Sequence, residues 1–178
     1  MGDERLRLFL ALWPDVAVRR ALQAATRTAV ETSGGRAVPT ANYHLTLAFL
    51  GLQPRSQLDV IHDAISRLES ITGTLHLQQI GYFRAARVLW AGPQRTPTML
   101  SRQANRLRAA LGANGVSFTP GPFRAHVTLA RRVAQVPSVE FEPIHWAYTG
   151  VTLIESDRAR PRYRVLAQWP GRDLPPME

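Results

Sequence analysis

The stretch YHLTLAFLG, residues 43–51, sets one histidine and one threonine among leucines at alternating positions. Farther along, FRAHVTLARR, residues 123–132, spells the same order: His, an apolar residue, Thr, Leu, Ala. A β-strand points successive side chains to opposite faces. Leu45 and Leu47 then face a core, while His44 and Thr46 share the other face about 6.6 Å apart along the strand. Val127 and Leu129 repeat the inward positions, and His126 and Thr128 the outward ones.

The repeat extends beyond the two strands. The segment PDVAVRRALQAATRTAVETSGG, residues 14–35, carries Val18, Leu22, Ala25 and Ala29 on one helical face, with Pro14 and Asp15 suited to its start and Gly34-Gly35 to its end. TPTMLSRQANRLRAALGANG, residues 96–115, carries Leu100, Ala104, Leu107 and Leu111 at the same relative positions. Val18 to His44 spans 26 positions, as does Leu100 to His126, so helix face and strand face share a constant offset of 82. A single motif can recur by chance; two faces keeping one offset indicate two related halves.

The remaining elements fit around that repeat. RSQLDVIHDAISRLE, residues 55–69, predicts a helix with Leu58, Ile61, Ile65 and Leu68 inward. TLHLQQIGYF and ARVLWAG are expected as strands joined by a turn, and AYTGVTLIES with RYRVLAQW as a closing pair. LRLFLALW, residues 6–13, alternates as a strand with Leu6, Leu8, Leu10 and Leu12 on one face. No linker-like or low-complexity tract divides the chain. The expectation is a single bilobal α+β domain over residues 1–178, with two pseudo-symmetric antiparallel-rich sheets facing each other across a central groove and helices outside.

Bulk properties narrow the function. The 178 residues are 45% hydrophobic, enough for a real core. The apolar run LFLALW is too short to span a membrane, and its flanks do not resemble a signal peptide. With no cysteine there is neither disulfide nor thiolate metal site, which suits a cytoplasmic protein. The 22 basic and 13 acidic residues give a net charge of +9, which favours polyanionic partners. Nothing here demands more than a monomer.

If the halves pack about a pseudo-twofold axis, two imidazoles and two hydroxyls meet across the groove. Such a set suits a tetrahedral phosphate. The Thr46 and Thr128 hydroxyls can donate to non-bridging oxygens. One neutral histidine takes a proton from attacking water while the other, protonated, gives one to the leaving oxygen. Imidazole, with an ordinary pKa of about 6.5, supplies both forms near neutrality. No metal or other cofactor is needed for this. A two-histidine metal site is the rival chemistry, but neither motif has a carboxylate close in sequence to complete it. His62, His76 and His145 have no such partner and are expected as surface or satisfied residues.

With these residues in view, the chain resembles the two-histidine phosphoesterase superfamily, whose mark is two His-x-Thr/Ser-x motifs on facing strands. Within it the chain is most similar to the RNA 2′,3′-cyclic phosphodiesterases, historically called 2′-5′ RNA ligases. The likeness runs nearly full length, through RLFLALWPD, NYHLTLAFLG, RVLWAG, FRAHVTLARR and RPRYRVLAQWP. One departure is visible: the family commonly has Pro before the second His, and Ala125 stands there. The resemblance implies water attack on a terminal 2′,3′-cyclic phosphate with cleavage of the bond to O3′, leaving a 2′-phosphomonoester. It implies His44 and His126 as catalytic pair, His44 by analogy the acid and His126 the base, with Thr46 and Thr128 on the phosphate. Implied substrates are RNA ends, tRNA fragments among them, or cyclic nucleotides. Run in reverse, the same groups would join a cyclic phosphate end to a 5′-hydroxyl. The alternatives are a related phosphodiesterase of small cyclic nucleotides or 2′-5′ oligonucleotides, and a non-catalytic RNA-binding module.

The symmetry breaks just after each motif, where Phe49 corresponds to Arg131. Arginine can hold phosphate oxygens bidentately and an aromatic can stack on a base. Strict alternation puts both on the face opposite the histidines, so a bulge must turn them toward the groove. A phosphate role is expected for Arg131. Core packing is expected for Phe49, with nucleoside contact the alternative. Arg132 is expected as a solvated residue able to line the groove. RARPRYR, residues 158–164, extends the basic track or forms a turn, with Tyr163 packing or touching RNA.

Overall fold

The computed structural model describes residues 4–157 and 163–170. The strands are β1 (Arg5–Leu12), β2 (Arg36–Ala37), β3 (Leu45–Pro54), β4 (Thr72–Leu77), β5 (Gln79–Phe83), β6 (Val88–Gly92), β7 (Val127–Arg131), β8 (Ile144–Thr149), β9 (Val151–Ser156) and β10 (Tyr163–Trp169). The helices are α1 (Val16–Thr32), α2 (Leu58–Ser66) and α3 (Thr98–Ala113). The fold is α+β, as the mixed periodicities predict.

Local chemistry accounts for the elements. The Asp15 carboxylate accepts from the Val18 amide at 2.7 Å and caps α1. Gly34, at φ 62°, follows the helix in a conformation that favours glycine. In α3 all four predicted positions are buried. In α1 the fully buried set is Leu22, Thr26 and Ala29, the Thr26 hydroxyl donating to the Leu22 carbonyl at 2.7 Å. The strand periodicities also hold, with two refinements. TLHLQQIGYF divides at Gln78, so that β4 pairs with β8 and β5 with β6. AYTGVTLIES divides at Gly150, whose φ of 76° breaks the strand into β8 and β9.

All strand pairs among the described residues are antiparallel. The main sheet runs β10-β9-β1-β3-β7-β6-β5 with β2 beside β7; β4 and β8 form a separate two-stranded sheet. The main sheet is two halves joined at one point, because β3 and β7 pair only at Leu45↔Val127. Beyond that pair the two strands part. The free edge of β7 is taken by β2, and on β3 the Phe49 carbonyl accepts from the Thr119 amide at 2.7 Å. Leu45, Leu47, Val127 and Leu129 are fully enclosed in one contiguous core with Leu22, Leu100 and Leu107. Each such leucine contributes roughly 1.5–3 kcal/mol on burial, which fixes which face of β3 and β7 is left to the groove. No helix among the described residues is long and apolar enough to cross a membrane.

Candidate active site

The pairing of Leu45 with Val127 is what assembles the site. In an antiparallel register it sets His44 across from Thr128 and Thr46 across from His126, all four on the face opposite the core. The two histidines are then diagonal neighbours, roughly 7–8 Å apart at the backbone in a regular ladder. All four side chains line one groove of ≈ 880 Å³.

Each strand then carries a bulge one residue past its threonine, and β3 a second one at Leu50. On β3, Leu10 pairs with Ala48 and Ala11 with Thr46, leaving Leu47 as the extra residue. On β7, Leu89 pairs with Ala130 and Trp90 with Thr128, leaving Leu129. Leu47/Ala48 and Leu129/Ala130 are therefore consecutive buried pairs, and alternation restarts with the next residue outward. Those next residues are Phe49 and Arg131, and both line the groove. The expectation that Phe49 packs in the core is corrected: it is 48% exposed.

Both imidazoles are anchored alike. His44 Nδ1 lies 2.6 Å from the Asn42 carbonyl, and His126 Nδ1 lies 2.7 Å from the Arg124 carbonyl. A carbonyl only accepts, so Nδ1 carries the proton in each ring and Nε2 of the neutral form is left as an acceptor. Ala125, at the site of the departure from the family pattern, is 2% exposed and its amide donates to Thr96 Oγ1 at 3.0 Å. A proline would lack that donor, so another anchor has replaced ring rigidity ahead of His126.

Around the anchors the two halves differ. His44 stacks on Trp13 at 5.5 Å with an interplanar angle of 8°, and touches Phe9 at 4.8 Å and the edge of Tyr163 at 5.3 Å. His126 meets Phe83 edge-on at 4.9 Å and Trp90 at 6.2 Å. Burial pushes His44 down to about 4, with Arg131 and His126 lowering it further and the Asn42 carbonyl opposing. Burial also lowers His126, helped by Arg124 and Arg131 and opposed by the Arg124 carbonyl. The empty groove therefore holds two neutral imidazoles at neutral pH. A bound anion offsets the charge of the arginines and favours the protonated form of the ring it lies beside.

Arg132, like Arg131, is exposed and lines the groove; its φ of 56° ends β7 in a left-handed turn. Tyr163 both packs and lines the groove. Of RARPRYR, residues 158–162 lie outside the described residues. His62, His76 and His145 are exposed, as expected. No group of three His, Asp or Glu side chains able to hold a metal ion occurs among the described residues. Sequence reasoning missed the ring partners Phe9 and Trp13, although their odd-numbered places opposite Leu8, Leu10 and Leu12 were a usable signal. It also missed Arg36, which pairs directly with Arg131 and lines the groove.

Comparison with known proteins agrees with this geometry. A family model described as LigT like Phosphoesterase matches residues 14–90. The RNA 2′,3′-cyclic phosphodiesterase of Escherichia coli K12 is 31% identical over 94% of this chain and 97% of its own length. The protein of the same name from Thermus thermophilus is 34% identical over 92% of this chain and 89% of its own. The crystal structure of E. coli LigT complexed with 3′-AMP superposes with a TM-score of 0.86 at 30% identity, covering 96% of this chain and 100% of that one. The chain belongs to the LigT-like phosphoesterases, the RNA 2′,3′-cyclic phosphodiesterase family of the two-histidine superfamily.

Proposed function

We propose that this protein hydrolyses the 2′,3′-cyclic phosphate at RNA ends to a 2′-phosphomonoester by metal-free acid/base catalysis between His44 and His126. The single observation that carries this reading is the matched anchoring of the two rings. Each donates Nδ1–H to the carbonyl two residues before it, on adjacent strands and toward one groove. Thr46 and Thr128 donate to the non-bridging oxygens, and Arg131 offers its guanidinium to the same phosphate.

In-line displacement needs the nucleophile and the leaving oxygen on opposite sides of phosphorus. His126, neutral because burial lowers its pKa, accepts the water proton at Nε2. His44, charged in the presence of the phosphate, gives its proton to O3′. This order follows the family resemblance. Phe49 and Tyr163 offer aromatic surface to the nucleoside. The 3′-AMP bound by the E. coli relative is a ligand of this chemical class. In reverse, a 5′-hydroxyl in place of water yields a 2′-5′ linkage, provided both ends are aligned. We take the protein to act as a cytoplasmic monomer.

The test is an RNA oligonucleotide with a 2′,3′-cyclic phosphate end, incubated with EDTA, followed by product identification. A 2′-phosphate is expected. A requirement for added metal would overturn the mechanism. Tight binding without turnover would make the protein an RNA-binding module.

A further inference from the structure

Arg36 has no place in the chemistry just described, yet its position is hard to account for without an anion. It sits on β2, a two-residue strand, directly paired with Arg131 on β7. Directly opposed residues of an antiparallel pair project from the same face about 4.5–5.5 Å apart, and like charges so placed destabilise the pair. Both are exposed, and among the described residues no ion pair or hydrogen bond engages either guanidinium. Arg132 follows on the same rim, and all three line the main groove. The other end of that groove is built differently. There the position related to Arg131 is Phe49, and the residue hydrogen-bonded to it is Thr119. At these related positions the pseudo-symmetric frame thus sets an arginine pair, Arg36 and Arg131, on one side and Phe49 with Thr119 on the other, where Arg7 and Asp157 also line the groove.

One scissile phosphate, already met by two hydroxyls and Arg131, does not use this many cations. We propose that Arg36, with Arg132, forms a second anion subsite that holds the phosphodiester on the 5′ side of the terminal nucleoside. The inference rests on the function proposed above and deepens it: the groove selects a polynucleotide end over a cyclic mononucleotide, which has no second phosphate. The preference is electrostatic and independent of base, because phosphate contacts position a strand without reading its sequence.

The experiment compares Arg36→Ala with the parent protein on two substrates, a short RNA with a 2′,3′-cyclic phosphate end and a 2′,3′-cyclic mononucleotide with a free 5′-hydroxyl. For the RNA, kcat/KM is expected to fall about 10- to 100-fold, mainly through KM. The slope of log kcat/KM against log salt should become shallower by about 0.7, one single-strand phosphate contact. Turnover of the mononucleotide should be unchanged, and Arg36→Lys should restore part of the RNA preference and of the salt slope. Equal losses on both substrates would place Arg36 at the scissile phosphate and overturn the proposal. No loss on either would overturn it as well. If neither substrate is turned over even by the parent protein, the catalytic reading fails. The subsite is then judged by binding alone: Arg36→Ala must weaken the RNA and spare the mononucleotide.

Discussion

An anion in the groove should recharge His44. In the empty site burial holds this ring at about 4. At neutral pH only about one molecule in a thousand would then carry the proton that acid catalysis requires. A negative charge about 4 Å away, at an effective dielectric of about 20, favours the imidazolium by roughly 4 kcal/mol. That is about three pKa units, enough to return the ring to near neutrality. Sulfate isolates the effect, being tetrahedral and doubly negative without titrating in this range itself. The assay follows the ring C–H resonances of the five histidines against pH, with and without saturating sulfate, and assigns His44 by its loss in His44→Gln. The midpoint is expected to move from about 4 to about 7 or above, the second charge of sulfate adding to the shift. By linkage, sulfate must bind more tightly as pH falls through the same window. A midpoint near 6.5 in the empty protein would refute the burial argument. A midpoint that bound sulfate leaves unmoved would show that the ring does not face the anion.

Replacing either His44 or His126 with Ala should cut turnover of the cyclic phosphate at least about 100-fold while leaving circular dichroism unchanged. Near-normal rates in either variant would remove that ring from the mechanism. The acid and base can be told apart with a phosphodiester whose leaving oxygen is already acidic, such as an aryl ester. His44→Ala should be largely rescued on it and His126→Ala should not; the opposite pattern reverses the assignment. Thr46→Val and Thr128→Val keep the strand shape but remove a donor, so each should lower kcat/KM about 10- to 100-fold with little change in melting temperature. Stability should also track His44. Its folded pKa lies below the unfolded value of 6.5, so its contribution is fully present above about 6.5 and is lost as pH falls toward 4. Melting measured without anions should therefore show a smaller acid-side loss in His44→Gln than in the parent.

Much of the fold was legible because burial imposes a period. Leu100, Ala104, Leu107 and Leu111 must share a helix face to reach one core, and Leu45 and Val127 must turn inward if His44 and His126 turn outward. The bulge needed to turn Phe49 and Arg131 toward the groove is present on both strands, but its place depends on the partner strand rather than on the local residues. At Leu47 and Leu129 the bulges exist because β1 and β6 there step by one residue where β3 and β7 step by two. Nothing in LTLAF or VTLAR spells that shortfall, so Phe49 reads as a core residue until the pairing is known. Arg36 was hidden for a related reason. A two-residue strand has no periodicity, and its importance comes entirely from lying opposite Arg131.

The parts that repeat and the parts that do not have separate tasks. The strand pair, the bulge and the carbonyl that orients each ring recur at the same offset, and together they set two equivalent Nε2 atoms toward the groove. A frame so symmetric cannot by itself decide which ring donates and which accepts. That decision must come from what surrounds the rings and from the ligand. Trp13, Phe9 and Tyr163 enclose His44 more completely than Phe83 and Trp90 enclose His126, and His44 accordingly has the value driven as low as about 4. In the mechanism proposed above, a ring that loses its charge without an anion and regains it beside one would be an acid that arms itself on substrate binding. In the same proposal its partner, less enclosed, would act as the base without any further change in the protein.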